Sequence, residues 1–216
     1  MHTSAPLTTR FLLTTAAPER PFARLSAIVF LVLGAPLLLL VALLIWMEDR
    51  GPVVFAHYRI GRNGRPFLCY KFRTMVRNAD VVLRELLERD EQLRAEWERD
   101  QKLQHDPRIT RIGKFLRRSS LDELPQLYNI FRGEMAFVGP RPIVVQELDR
   151  YGPWKRHYLS VPPGLTGLWQ VSGRNDVSYD ERVALDRDYV EQHSWLLDTL
   201  IVARTFKVIA QRQGAR

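Results

Sequence analysis

The chain has 216 residues, 46% of them hydrophobic and 26% charged, and a net charge of +8. That length holds one domain with an appendage, and the composition excludes a disordered chain. The basic excess calls for an anionic partner, and the single cysteine, Cys69, excludes an intrachain disulfide or a cysteine-built zinc site. Cys69 reads as a small core residue of a reducing compartment. The histidines (2, 57, 105, 157 and 193) are scattered without metal-ligand spacing.

Residues 1–21 are polar and read as a flexible N-terminal arm. Residues 22–48 form the membrane-grade segment. From Leu25 to Met47 there is no charged residue, and about 23 residues suffice to span a bilayer as a helix. No small-x-small cleavage site follows, which argues against a removed signal peptide. Two geometries stay open: a crossing helix, or a helix broken at Gly34-Ala35-Pro36 that returns to the same face. Pro36 removes a backbone bond, yet prolines also occur in crossing helices. The large basic remainder belongs on the cytoplasmic side, and the arginines of the short arm slightly favour the return.

Residues 49–216 read as one cytoplasmic domain. Pro52 to Ile60 and Pro66 to Phe72 predict a β-hairpin around Gly61-Arg62-Asn63-Gly64-Arg65. The hairpin leads into Lys71-Phe72-Arg73-Thr74-Met75, where Lys71 is either a solvated strand residue or a phosphate-binding cation. Residues 76–104 predict an exposed helix, and Ile109 to Arg118 a short basic one. Ser120 to Arg132 has apolar residues at helical spacing, with Asp122 and Glu123 near its start. Ser120 and Glu123 have the form of a capping box, while Asp122 is the alternative cap that places Pro125 in the tolerated first turn. Taken alone, the two acids read most simply as first-turn residues of a surface helix. Met135 to Val138 predicts a short strand, and Arg141 between Pro140 and Pro142 has a restricted backbone that can pre-position its guanidinium. Ile143 to Tyr158 is helical with an interruption at Gly152-Pro153. Val161 to Val171 reads as an apolar Pro/Gly loop, and residues 173–176 as a turn. Ser178 and Glu181 predict a capped helix over 179–192, and Trp195 to Gln211 a basic amphipathic helix suited to a membrane surface or to core packing.

The acids change meaning beside the cations. Lys71, Arg117 and Arg141 can hold non-bridging phosphate oxygens while one carboxylate attacks phosphorus and another holds a divalent metal. The rival reading is a membrane-tethered basic binding protein without catalysis, supported by the charge alone. In that case Asp122 is replaceable and binding falls steeply with salt.

Three stretches carry a family resemblance: KFRTM at 71–75, GKFLRRSSLDELPQLYNIFRGEMAFVGPRP at 113–142 and PPGLTGLWQVSGRND at 162–176. With SYDERVALDRDYV at 178–190 and the closing helix, the chain resembles the bacterial sugar transferases, the monotopic phosphoglycosyl transferases, over roughly residues 22–210. The resemblance implies an α+β, mostly helical fold with a re-entrant membrane helix broken at Pro36, a small β-hairpin and amphipathic interfacial helices. It implies transfer of a sugar-1-phosphate from a UDP-sugar to undecaprenyl phosphate with release of UMP, at the cytoplasmic face of the bacterial inner membrane. That step begins exopolysaccharide, capsule or O-antigen assembly. In these terms Asp122 is the nucleophile, Glu123 with Asp122 binds Mg²⁺, and Lys71, Arg117 and Arg141 hold phosphates. The C-terminal motifs are similar to exopolysaccharide-type members, implying glucose or galactose. Larger members carry further transmembrane helices and a nucleotide-binding-like domain that are not expected here. The implied partners are the UDP-sugar, the lipid phosphate and inner-membrane lipids, with no nucleic acid. The oligomeric state, a homodimer included, is left open.

Overall fold

The computed structural model describes residues 21–100, 103–173 and 177–211. The arm expected over 1–21 lies outside these residues apart from Pro21, as do residues 174–176 of the expected turn. The fold is α+β and mostly helical.

The apolar segment forms helix α1, Pro21–Asp49, long and apolar enough to cross a membrane by length and composition. One face of it is occupied. Ala23, Ala27 and Leu31 pack with Phe67, Cys69, Leu127, Ile130 and Met135. Leu38, Val41, Ala42 and Ile45 pack with Phe72 and Leu116. These positions recur every three or four residues, as one face of a helix requires. Leu33 and Leu39 on the other faces are exposed. The chain is helical on both sides of Pro36 and does not leave the helix at the break expected there. Proline deletes one ladder bond and bends a helix without ending it where packing holds both flanks.

The β-hairpin forms as expected. β1 (Val54–Ile60) pairs antiparallel with β2 (Pro66–Phe72), with Arg59 opposite Phe67 and His57 opposite Cys69. Asn63, at φ 60°, turns the connection. Because side chains alternate, Phe67 and Cys69 enter the core while Lys71 extends the same face.

The charged run over 76–104 is two helices, not one: α2 (Ala79–Arg89) and α3 (Glu91–Asp100). Asp90 is extended between them, and its carboxylate accepts from the backbone N–H of Gln92 and Leu93. This is the local side-chain competition that makes Asp a helix starter. Helix α4 (Arg111–Ser119) is capped by the Thr110 hydroxyl. Its first amide is also held by a carboxylate of α1, Glu48, at 2.9 Å.

After α4 a 3-10 turn, Leu121–Glu123, precedes helix α5 (Gln126–Arg132). Strand β3 (Ala136–Val138) then pairs parallel with β4 (Gly164–Thr166), in the stretch expected to be a loop. The crossover between them holds a 3-10 segment, Val145–Trp154, kinked at Gly152, and helix α6 (Lys155–Ser160). A short helix α7 (Leu168–Val171) follows β4. Helix α8 (Tyr179–Gln192) begins with the predicted Ser178–Glu181 capping box. Helix α9 (Trp195–Ala210) buries Ile201 against Val138 and Tyr189 and leaves Trp195, Leu196, Leu200 and Phe206 exposed.

Candidate active site

The acidic pair does not start an α-helix. Ser120 has φ 56°, a left-handed conformation that ends α4, and its side chain makes no cap bond. The expected capping box is therefore absent, and Asp122 does not cap α5 either, since that helix begins only after Pro125. The pair occupies the tight 3-10 turn, which packs against β2 through the hairpin face carrying Lys71. Lys71 Nζ donates to Glu123 Oε1 at 2.6 Å and lies 4.0 Å from Asp122 Oδ2. Arg117, from the last turn of α4, donates through Nε to the Thr74 hydroxyl at 2.9 Å, and its charge reaches Asp122.

Burial decides the state of Asp122, whose side chain is 14% exposed. Loss of water pushes its carboxyl up to about 6; the negative charge of Glu123 adds to this, while Lys71 and Arg117 pull the other way. A carboxylate raised in this way is still largely ionised at neutral pH and is more basic than a solvated one.

Beside the turn runs a groove lined by Lys71, Glu123, Gln126, Arg59, Arg141 and Gln170. Arg141 enters it from the Pro-flanked turn after β3. Its guanidinium stands over the Trp169 ring at 5.6 Å, and Arg182 of α8 reaches the same ring at 4.7 Å. Behind this turn Asp186 of α8 is buried and accepts from Tyr151 Oη at 2.7 Å. Burial pushes Asp186 up to about 7, against the Tyr151 hydrogen bond and the Arg141 charge.

The five residues chosen from sequence thus converge: Asp122, Glu123 and Lys71 in direct ion-pair range, Arg117 beside Asp122, and Arg141 on the groove wall. Pro36 is not among them; it lies in α1. Sequence reasoning missed Arg59, Gln126 and Asp186. Arg59 had a readable signal, since it shares the hairpin face of Lys71 once the strands are put in register. Asp186 had none, being one acid in a polar helix.

Among the described residues no group of three or more His, Cys, Asp or Glu side chains could hold a metal ion. The acid turn offers two carboxylates. That donor set fits Mg²⁺, which binds through one or two carboxylates, keeps several waters and shares substrate phosphates.

Residues 15–212 match the sequence profile of the bacterial sugar transferases. The chain belongs to that family. Among the relatives of this bacterial sugar transferase, the undecaprenyl-phosphate galactose phosphotransferase of Salmonella typhimurium is 50% identical over 200 residues, covering 91% of this chain and 41% of that protein. The exopolysaccharide production protein ExoY of Sinorhizobium fredii is 50% identical over 197 residues, covering 91% of this chain and 87% of that protein. The UDP-N-acetylgalactosamine-undecaprenyl-phosphate N-acetylgalactosaminephosphotransferase of Aeromonas hydrophila is 37% identical over 198 residues. The chain spans 41% of the length of the Salmonella relative. Every site residue named above falls within the stretch that defines this bacterial sugar transferase.

Proposed function

We propose that this chain is a phosphoglycosyl transferase that moves a sugar-1-phosphate from a UDP-sugar to undecaprenyl phosphate and releases UMP. The observation that carries the reading is the acid turn: a buried carboxylate, raised to about 6, held 4.0 Å from a lysine that also neutralises its acidic neighbour. An anion attacks a negatively charged diphosphate only where cations screen the approach.

In the first half-reaction an Asp122 carboxylate oxygen bonds to the β-phosphorus. The bond from that phosphorus to the bridging oxygen breaks, its electron pair leaves with UMP, and the sugar phosphate remains as an acyl phosphate on Asp122. In the second half-reaction a phosphate oxygen of the lipid bonds to the same phosphorus, and the Asp122–phosphorus bond breaks to regenerate the carboxylate. Lys71 and Arg117 flank the attacking oxygen, and Arg141 stands along the groove for the departing phosphate. Mg²⁺, which Asp122 and Glu123 would hold, supplies charge neutralisation on the phosphates.

The donor is UDP-galactose or UDP-glucose. Support comes from the names of relatives at 50% identity, one a galactose phosphotransferase and one an exopolysaccharide protein, against 37% for the N-acetylgalactosamine relative. The same names support a role at the start of exopolysaccharide assembly. A re-entrant α1 in the inner membrane, with the domain on the cytoplasmic face, is supported by where its ends rest. Ala23 and Ala27 pack beside α5, while Glu48 and Asp49 hold Arg111 and Arg73 of the same domain. A crossing helix would carry one end about 30 Å away through hydrocarbon.

The test is UMP release in detergent with undecaprenyl phosphate, Mg²⁺ and a panel of UDP-sugars, comparing wild type with Asp122→Asn. Release with one hexose donor, abolished in the variant, is the expected result. Undiminished release by Asp122→Asn overturns the covalent route. For topology, Thr3→Cys and Ser178→Cys should both resist labelling from outside the cell, and labelling of Thr3→Cys alone sinks the re-entrant helix.

A further inference from the structure

Arg59 is a groove cation that the mechanism above leaves unused. It stands on β1 opposite Phe67, on the hairpin face that also carries Cys69 and Lys71, so both cations reach the same groove from one sheet. Their roles differ by partner. Lys71 is committed to the acid turn at 2.6 Å. Arg59 meets a carboxylate only at 3.7 Å, that of Glu147, whose Oε2 also accepts the Val144 amide at 3.1 Å. Arg59 and Arg141 line the groove together and repel one another across it. The other groove carboxylate, Glu123, is taken by Lys71, and Arg141 has the buried Asp186 behind its turn. Two guanidiniums facing one groove, one of them with its carboxylate partner as far off as 3.7 Å, leave a positive field that an anion would relieve.

The reaction proposed above, on which this inference rests, says which anion. In a double in-line displacement at one phosphorus, the first leaving group exits opposite Asp122. The second nucleophile must enter along the same line. UMP and undecaprenyl phosphate are both phosphate monoesters, so one subsite serves both. We propose that Arg59 and Arg141 form that shared phosphate-monoester subsite, occupied first by the phosphate of UMP and then by that of the lipid acceptor. Gln126 and Gln170 complete its wall with neutral hydrogen-bonding groups.

The proposal makes two otherwise unrelated constants move together. Arg59→Ala should raise the KM for undecaprenyl phosphate and the inhibition constant of UMP, each by about tenfold or more, as loss of a charge-assisted phosphate contact does. Arg59→Lys should restore part of both. UMP should inhibit competitively against the lipid acceptor. Glu147→Gln separates binding from scaffolding. Removing the competing carboxylate should leave UMP inhibition unchanged or tighter, whereas a merely structural Arg59–Glu147 tie would make this variant weaken UMP as Arg59→Ala does. Thermal melting of each variant checks folding, and calorimetric titration with UMP gives affinity without turnover. Wild-type turnover with unchanged UMP inhibition in Arg59→Ala overturns the subsite and leaves the reaction standing. So does a change confined to one of the two constants, or a Glu147→Gln that weakens UMP. Wild type that releases no UMP with any donor sinks the reaction, and the subsite with it.

Discussion

Replacing Lys71 by methionine removes one charge while keeping most of the side chain's bulk, and its effect on Asp122 can be sized. At 4.0 Å, two unit charges attract by ~1 kcal/mol in water and ~4 kcal/mol at an effective dielectric of 20. At 1.36 kcal/mol per pH unit those limits are roughly 0.7 and 3 units. Lys71 is 30% exposed and Asp122 14%, which places the site between the limits. The Asp122 midpoint should therefore rise from about 6 by about one to two units. At pH 7 the ionised fraction would fall from about nine-tenths to between about half and a tenth. The assay is the pH dependence of kcat/KM for UMP release, whose acid limb reports the free enzyme. Lys71→Met also loses a phosphate contact, so the plateau drops; the position of the limb is the measurement. A ¹³C titration of the Asp122 carboxyl gives the same midpoint without turnover. A limb at or below the wild-type position would refute the assignment of Lys71 as the cation that holds Asp122 ionised.

Three further outcomes follow from the same geometry. Asp122 has a carboxyl raised from 3.8 to about 6, so the folded protein holds this proton more tightly than the unfolded chain. The stability it contributes is full below about pH 4 and is lost as pH rises through about 6. Asp122→Asn escapes that loss and should be more stable than wild type by up to about 3 kcal/mol at pH 7, with no advantage at pH 4; urea unfolding at both pH values checks it. Gly113→Ala would place a methyl 2.0 Å from the Thr74 carbonyl oxygen. Helix α4 must then shift off the segment that follows β2, with about 1–3 kcal/mol lost in unfolding experiments and UMP release reduced as Arg117 leaves Thr74. Tyr151→Phe strips the buried Asp186 of its 2.7 Å donor and should cost about 1–3 kcal/mol, read by the same urea titration.

What was legible in the sequence was what local chemistry alone decides. The hairpin needed β-branched and aromatic runs around a Gly-Arg-Asn-Gly turn; α8 needed Ser178 and Glu181; α9 needed one apolar stripe. The capping box at Ser120 failed because Ser120 itself closes α4, and its left-handed turn won. Strand β4 was hidden in a Pro/Gly run because its partner β3 lies across a crossover, and a parallel pair carries no local signature. The acids and three cations were picked out by type and order, while their convergence depended on the hairpin register and on α4 crossing Thr74. Arg59 was passed over because a lone arginine in an otherwise exposed strand looks solvated until the groove is built.

Leu124, next to Glu123, packs into both apolar clusters beneath α1, one shared with Ala27 and the other with Val41 and Ile45. The acid turn is thus seated directly on the apolar helix, and the helix is part of its foundation. In the membrane placement proposed above, a generic anchor of equal hydropathy would keep the protein at the bilayer yet present the wrong knobs to Leu124. Helices exchanged between distant relatives should therefore fail even when both insert, unless the residues under the turn travel with them.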